Sequence, residues 1–313
     1  MGEKEVERTL KFIKKSLKKD VHLMFYGGEP LLADKVCRKI VEETSNYCNE
    51  CGVSLNPSII TNGLLITEDI IDNLFNPYDF KFIQITLDGC RKDHDLSRIY
   101  PDGSPTYDLI LEKIKMLDDE GLPVRIRIHV NKQNINGLEE LMDDLKSLKL
   151  RGAEMYLARL SSLTDACKDL APICFAGPDL VSVEDKLNSL MKGNLIRPSQ
   201  RFCCMFETDD SFIIDPSLDL YKCLALLADD EYKVGSIDHQ GNAQFNRRFY
   251  SVMNRDPLDH AKCRKCFLLP LCSGGCAAKA LGEKKDFREY YCGTVKYLVR
   301  NDIRKYVRDK FNV

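Results

Sequence analysis

No apolar run in the sequence approaches the ~20 residues that a membrane-spanning helix requires. Stretches such as VHLMFYG and FIQITL last about six residues. The N-terminus, MGEKEVERTLKFIKKSLKKD, lacks the apolar core of a signal peptide. It reads instead as an amphipathic helix with Val6, Leu10, Ile13 and Leu17 on one face. Runs of like charge no longer than a helix face, a formal net charge of −2 and 30% charged residues give no reason to expect nucleic acid. The five histidines are scattered, with no pair at metal-binding separation, and each reads as structural. Internal repeats and low-complexity segments are absent. These absences predict a soluble, cytoplasmic protein that binds neither nucleic acid nor membrane and whose partner is a small molecule or a peptide.

Cysteine is abundant. Fourteen cysteines without a signal peptide imply a reducing compartment, and therefore free thiols or metal ligands instead of disulfides. Five of them, Cys263, Cys266, Cys272, Cys276 and Cys292, are spaced C-x2-C-x5-C-x3-C-x15-C. A zinc site closes at four ligands, whereas five cysteines with Cys203, Cys204 and Cys223 upstream suit two thiolate-ligated clusters. A zinc-binding interaction domain is the weaker alternative. Cys37 lies among Val36, Ile40 and Val41 and reads as a core residue; Cys90, Cys167 and Cys174 have no ligand-like spacing.

The first half of the chain alternates strand and helix patterns, which predicts parallel βα units. Strands are expected at His22–Tyr26, Ser58–Thr61, Lys81–Leu87, Val124–Val130 and Glu154–Ala158. Helices are expected at Leu32–Tyr47, Glu68–Phe75, Tyr107–Asp119 and Gly137–Leu148. In the helix from Tyr107, the residues Tyr107, Ile110, Leu111, Ile114 and Leu117 face inward and Gly121 is the stop. After about residue 160 the rhythm gives way to a polar stretch, Ser161–Gly177, and a short helix at Glu184–Met191. A cysteine-rich module follows, closed by an amphipathic helix, Thr294–Phe311, whose packed side is expected to carry Val295, Leu298, Ile303, Tyr306 and Val307. The expected organisation is 1–160, a connecting segment 161–195, and 196–313.

Several strand ends carry glycine or polar residues: Gly27-Gly28-Glu29-Pro30, Thr61-Asn62-Gly63, Asp88-Gly89 and His129-Val130-Asn131. Ligands of parallel α/β folds bind beyond the carboxyl ends of strands, so this set predicts a small-molecule site. Tight turns are the plainer explanation of each taken singly, and Asp88 in particular suits a turn before Gly89.

FYGGEPLL, IITNGLLI, QITLDGCRKDHDLSR and VRIRIHVNKQNI resemble consecutive strands of a radical S-adenosylmethionine barrel. The C-terminal cysteine spacing resembles the SPASM extension of the same superfamily, which carries auxiliary [4Fe-4S] clusters. The resemblance spans roughly residues 5–295 and implies an α/β fold, a partial (β/α)6 barrel lacking its first strand, with a small Cys-rich α+β SPASM domain. It further implies peptide or protein maturation, related to the anaerobic sulfatase-maturating enzymes, by 5′-deoxyadenosyl-radical hydrogen abstraction. A peptide or protein substrate and a reductant such as ferredoxin or flavodoxin would be the partners. By the same resemblance Gly27, Gly28, Glu29 and Pro30 hold the amino group of S-adenosylmethionine. Asn62 and Asn131 face that cofactor, and Arg98 stands where relatives place a basic residue near its carboxylate. One auxiliary cluster would use Cys263, Cys266, Cys272 and Cys292; the other would use Cys204, Cys223 and Cys276, with a fourth position open or taken by Cys203.

The sequence departs from the family in three places. Leu218 replaces the usual glycine before Cys223, so the turn in PSLDLYKC is expected to be altered. Leu224 stands where sulfatase-maturating relatives place an aspartate, which argues against sulfatase maturation specifically. Finally, the C-x3-C-x2-C triplet that holds the radical-generating cluster is absent. Cys48 and Cys51 come closest, but position 44 is Thr44, and both read as surface or half-buried thiols at a helix end. The chain also opens on a helix where a parallel unit normally opens on a strand, so it reads as cut after the cluster loop. An inert iron-sulfur scaffold or partner subunit is the alternative function.

Overall fold

The structure, a computed structural model, describes residues 1–16, 19–159, 172–175, 183, 189, 204–227, 229–284 and 286–311. Leu17, Cys167, Cys203 and, apart from Ser189, the helix expected over 184–191 lie outside these residues, as do the side chains of Val295 and Leu298. Two compact units emerge. One spans Ile13–Leu160; the other combines Met1–Phe12 with the chain from Ser199 onward.

The first unit is a five-stranded sheet in the order β1-β2-β3-β4-β5, parallel throughout: β1 Val21–Phe25, β2 Leu55–Thr61, β3 Phe82–Leu87, β4 Val124–Val130 and β5 Glu154–Arg159. All five expected strands are present, and β2 starts earlier than expected, carrying Pro57 into the sheet opposite Leu23. Between the strands run α2 Asp34–Cys51, α3 Glu68–Ile70 continuing as a π-helical turn over Ile71–Phe75, α4 Arg91–Ser97, α5 Tyr107–Asp119 and α6 Leu138–Ser147. Strand β4 shows why the pattern works. Val124, Ile126, Ile128 and Val130 are buried, while Arg125, Arg127 and His129 between them are half-buried. Helix α5 buries Tyr107, Ile110, Leu111, Ile114 and Leu117, each contributing roughly 1.5–3 kcal/mol of apolar burial. Gly121 ends it in the left-handed conformation, at φ 72°.

Two cysteines behave differently from each other at the end of α2. Cys48 is fully buried because it continues the face of Cys37, Ile40, Val41 and Thr44; Cys51, three residues on, is exposed. The expectation of half-buried or surface thiols therefore fails for Cys48. Cys37 is a core residue, its thiol pushed up to about 12 by burial and by the nearby Asp34 and Glu29 carboxylates.

The second unit contains an antiparallel sheet, β6 Ile213–Ile214, β7 Asp219–Tyr221, β8 Gly235–Ile237 and β9 Ala243–Phe245, in that order. The N-terminal helix α1, Glu3–Ser16, lends this unit Phe12, which packs with Phe206, Leu220 and Phe249. Phe12 is buried and Ile13 only half-buried, a shift of one position from the expected apolar stripe. Arg8 ties the helix to the same unit, its Nε donating to the Asp238 carbonyl at 2.9 Å.

Leu218 keeps the turn that glycine usually makes, at φ 69°. A leucine in the left-handed region costs roughly 1–2 kcal/mol, and its complete burial returns about as much or more. The closing helix is Gly293–Phe311. Val299 is buried on it, but Tyr306 and Val307, expected on the packed side, are 58% and 41% exposed.

Candidate functional site

At the end of β1 the chain passes through Tyr26, Gly27 and Gly28, all exposed, before Glu29 caps a short helical turn, Pro30–Ala33. Pro30 at the first helical position has the right fixed φ and lacks an amide that would go unpaired. The Glu29 carboxylate is the brace of this loop. It accepts from the Leu31 amide at 3.0 Å, from Thr61 Oγ1 at 2.7 Å and from the Asn62 amide at 2.7 Å, so it joins the ends of β1 and β2. A Cβ built on Gly27 or Gly28 meets nothing within 4 Å, and neither glycine has a positive φ. Backbone conformation therefore does not demand glycine here; open space beside the main chain remains. Asn62 and Asn131 turn their side-chain oxygens onto local backbone amides, Leu64 at 2.9 Å and Gln133 at 2.7 Å, bracing two more strand ends.

At the ends of β3 and β4 stands a cluster that the sequence underrates. Asp88 Oδ1 lies 2.8 Å from His129 Nδ1, and Arg98 Nε donates to Asp88 Oδ2 at 2.7 Å. Asn134, buried, donates to the carbonyls of both Asp88 and His129, at 2.9 and 2.8 Å, and locks the two strand ends together. Asp88 is thus no simple turn-former, and Arg98 is no free loop arginine. His94 is structural: it accepts from the Asp88 amide at 3.2 Å, and burial drives its pKa down to about 4. Burial by itself would raise the Asp88 carboxyl. The hydrogen bond from His129 and the charge and hydrogen bond of Arg98 outweigh it and hold the carboxyl well below the usual range.

A depressed carboxyl contributes stability that is present above its unfolded pKa of roughly 3.9 and is lost as pH falls below that value. Asp88→Asn is accordingly expected to cost about 2–4 kcal/mol at neutral pH, since it leaves Arg98 and His129 facing a neutral group. Urea unfolding at pH 7 and pH 3 checks this. The gap between native and variant should narrow by about 1 kcal/mol at pH 3, and a pH-independent gap would contradict the charge argument.

In the second unit the cysteines fall into two sets. Burial and then the neighbouring Cys292 and Cys266 raise the Cys263 thiol; burial, Cys292, Cys263 and Cys266 raise that of Cys272. Separately, burial and then Cys276 raise Cys204, and burial with Cys276 and Cys204 pushes Cys223 up to about 11. Each set is therefore a group of thiols within one another's field. Among the described residues no three His, Cys, Asp or Glu side chains converge on a point that one metal ion could fill.

Two buried cations beside these sets carried no motif in the sequence. Lys222 Nζ donates to the Ser211 carbonyl at 2.6 Å and to that of Thr208, and burial lowers its pKa to about 8. Arg255 has a 3% exposed side chain and reaches the loop between Cys272 and Cys276. A lone basic residue in a sequence gives no sign that it is buried.

Comparison with known proteins bears on the parallel sheet and its glycine-bearing strand ends. Residues 1–145 match the model of the Radical SAM superfamily. Among particular relatives, the cysteine-type anaerobic sulfatase-maturating enzyme of Clostridium novyi (strain NT) is 26% identical over 280 residues, covering 80% of this chain and 72% of that protein. The fold is that of native anSMEcpe with bound AdoMet and Cp18Cys peptide, with TM-score 0.73 at 17% identity over 100% of this chain and 92% of the other. It is also that of Streptococcus suis SuiB bound to precursor peptide SuiA, with TM-score 0.64 at 19% identity, covering 93% and 68%. No helix among the described residues is long and apolar enough to cross a membrane.

Proposed function

We propose that this protein is a radical SAM/SPASM-type peptide or protein maturase that binds S-adenosylmethionine at the strand ends and two auxiliary [4Fe-4S] clusters in its second unit. What supports this reading is the spacing of the cysteines together with their mutual influence, Cys263 and Cys272 with Cys266 and Cys292, and Cys204 and Cys223 with Cys276. Thiols raised by burial and by each other stay protonated until a metal displaces the proton, so loading should release protons and improve with pH. The bound clusters would supply one-electron transfer, fed by a reductant such as ferredoxin or flavodoxin. Gly27 and Gly28 offer open main chain to the amino group of S-adenosylmethionine, with Glu29 and Pro30 fixing the loop. Asn62 and Asn131 follow the ends of β2 and β4, and Arg98, after α4, is bound to Asp88 at the end of β3. Sulfatase-maturating enzymes are among the relatives, yet Leu224 offers no carboxylate beside Cys223, which favours a different peptide or protein substrate.

The donor set does not extend to the radical-generating cluster. Its C-x3-C-x2-C triplet does not occur in the sequence, so no step of radical chemistry is assigned to residues of this chain. A second reading is an iron-sulfur scaffold or partner subunit that does not itself cleave S-adenosylmethionine. Anaerobic reconstitution should give about eight iron per chain for two [4Fe-4S] clusters; four or fewer, or zinc, would count against both readings. Incubation with S-adenosylmethionine and dithionite then separates them. Release of 5′-deoxyadenosine above background supports the maturase, and its absence supports the scaffold.

A further inference from the structure

We infer that Arg255 is a positioning residue for both auxiliary clusters, a single buried guanidinium that fixes the cysteine-bearing loops against one another and supplies a shared positive charge. The inference rests on the two-cluster reading above. Every N–H of the side chain has an acceptor. Nε donates to the Phe287 carbonyl at 3.0 Å; Nη1 donates to Glu207 Oε1 at 3.2 Å and to the Ser273 carbonyl at 3.4 Å; Nη2 donates to the carbonyls of Gly274 and Gly275 at 3.1 and 3.2 Å. Five donors are all that an arginine has.

Those acceptors are not scattered. Ser273, Gly274 and Gly275 are the whole connection between Cys272 of one set and Cys276 of the other. The same connection accepts from the Tyr291 amide at Gly274, next to Cys292, and donates from the Gly275 amide to the Cys272 carbonyl at 2.7 Å. Glu207 follows Cys204 in a tight turn, its amide donating to the Cys204 carbonyl at 2.7 Å. One planar fork thus holds the turn after Cys204 and the linker between Cys272 and Cys276 in a fixed relation. A lysine would keep the charge but would offer three donors from a single point, so it could not span these acceptors.

A cation near a thiolate-ligated cluster favours the reduced, more negative form, because net charge and hydrogen bonding set cluster potentials. The test compares the native chain with Arg255→Met and Arg255→Lys after anaerobic reconstitution, by iron analysis, circular dichroism and EPR-monitored redox titration. Arg255→Met should move the midpoint potentials of both cluster signals to more negative values and lower the iron content. Arg255→Lys should lower the iron content with potentials close to native. Native iron and unchanged potentials in a folded Arg255→Met chain would overturn the inference, as would a shift confined to one signal. Should Arg255→Met fail to fold, Arg255→Lys decides: native iron content there overturns the positioning role, and reduced iron with retained potentials supports it. A native chain that takes up no cluster would instead defeat the two-cluster reading itself.

Discussion

A Gly275→Ala chain is expected to take up less than half the iron of the native protein, that is, to fall below about four iron per chain. Gly275 sits at φ 76°, where an L side chain costs roughly 1–2 kcal/mol. An added Cβ would also lie far inside van der Waals contact with the Tyr291 carbonyl oxygen, which is backbone and cannot swing aside as a side chain would. Overpacking of this kind adds about 1–3 kcal/mol, so the total is roughly 2–5 kcal/mol. Relief requires the Cys272–Cys276 linker to move away from Tyr291, and Cys292 is the next residue. Strain and misplacement of thiols therefore arrive together. Gly103→Ala provides the control. Gly103 also has a positive φ, 85°, but a Cβ there meets nothing within 4 Å, so only the backbone cost applies and iron content should not change. Equal iron loss in both variants would mean that general destabilisation, not the close approach at Tyr291, is responsible.

The sequence was most legible where a periodic pattern met a simple layer. Strand β4 alternates strictly, and the inward residues of α5 were readable one by one, because a helix covering a parallel sheet has a single apolar face. Legibility fell where partners are distant in sequence. Asp88 and His129 are both polar residues at strand ends, and only the parallel pairing of β3 and β4 brings them to 2.8 Å. Asp88 by itself carries the signature of a turn. Phe12 belongs to a helix whose apolar pattern favoured Ile13, yet its ring meets Phe212 and shares a core cluster with Phe206 and Phe249, more than 190 residues on, and no local period encodes them. The antiparallel strands β6 to β9 are two or three residues long, too short for alternation to register. The assignment of the cysteines to two ligand sets rests on the resemblance of their spacing to a known extension, whereas nothing in the sequence points to Arg255.

Gly28→Ala is expected to leave folding intact while weakening S-adenosylmethionine binding at least about tenfold, a loss of about 1.4 kcal/mol. The two halves of that expectation come from one observation. No φ at Gly27 or Gly28 lies in the left-handed region, and a Cβ at either meets no protein atom within 4 Å. Alanine therefore fits the folded chain without strain, and its smaller unfolded-state entropy should leave stability unchanged or raised by about 0.4–1 kcal/mol. If these glycines serve only the strand-to-helix turn, the substitution has no further consequence. If a ligand must approach the main chain, the methyl group stands where the ligand would lie. Glu29 cannot make this distinction, because its carboxylate accepts three hydrogen bonds, two of them from the end of β2, and removing it would disturb fold and site at once. Equilibrium dialysis with labelled S-adenosylmethionine, read beside the melting temperature of the same preparation, isolates the ligand term. Unchanged affinity in a Gly28→Ala chain of native stability would reduce the glycine pair to a turn and remove the strand-end site from the proposed function.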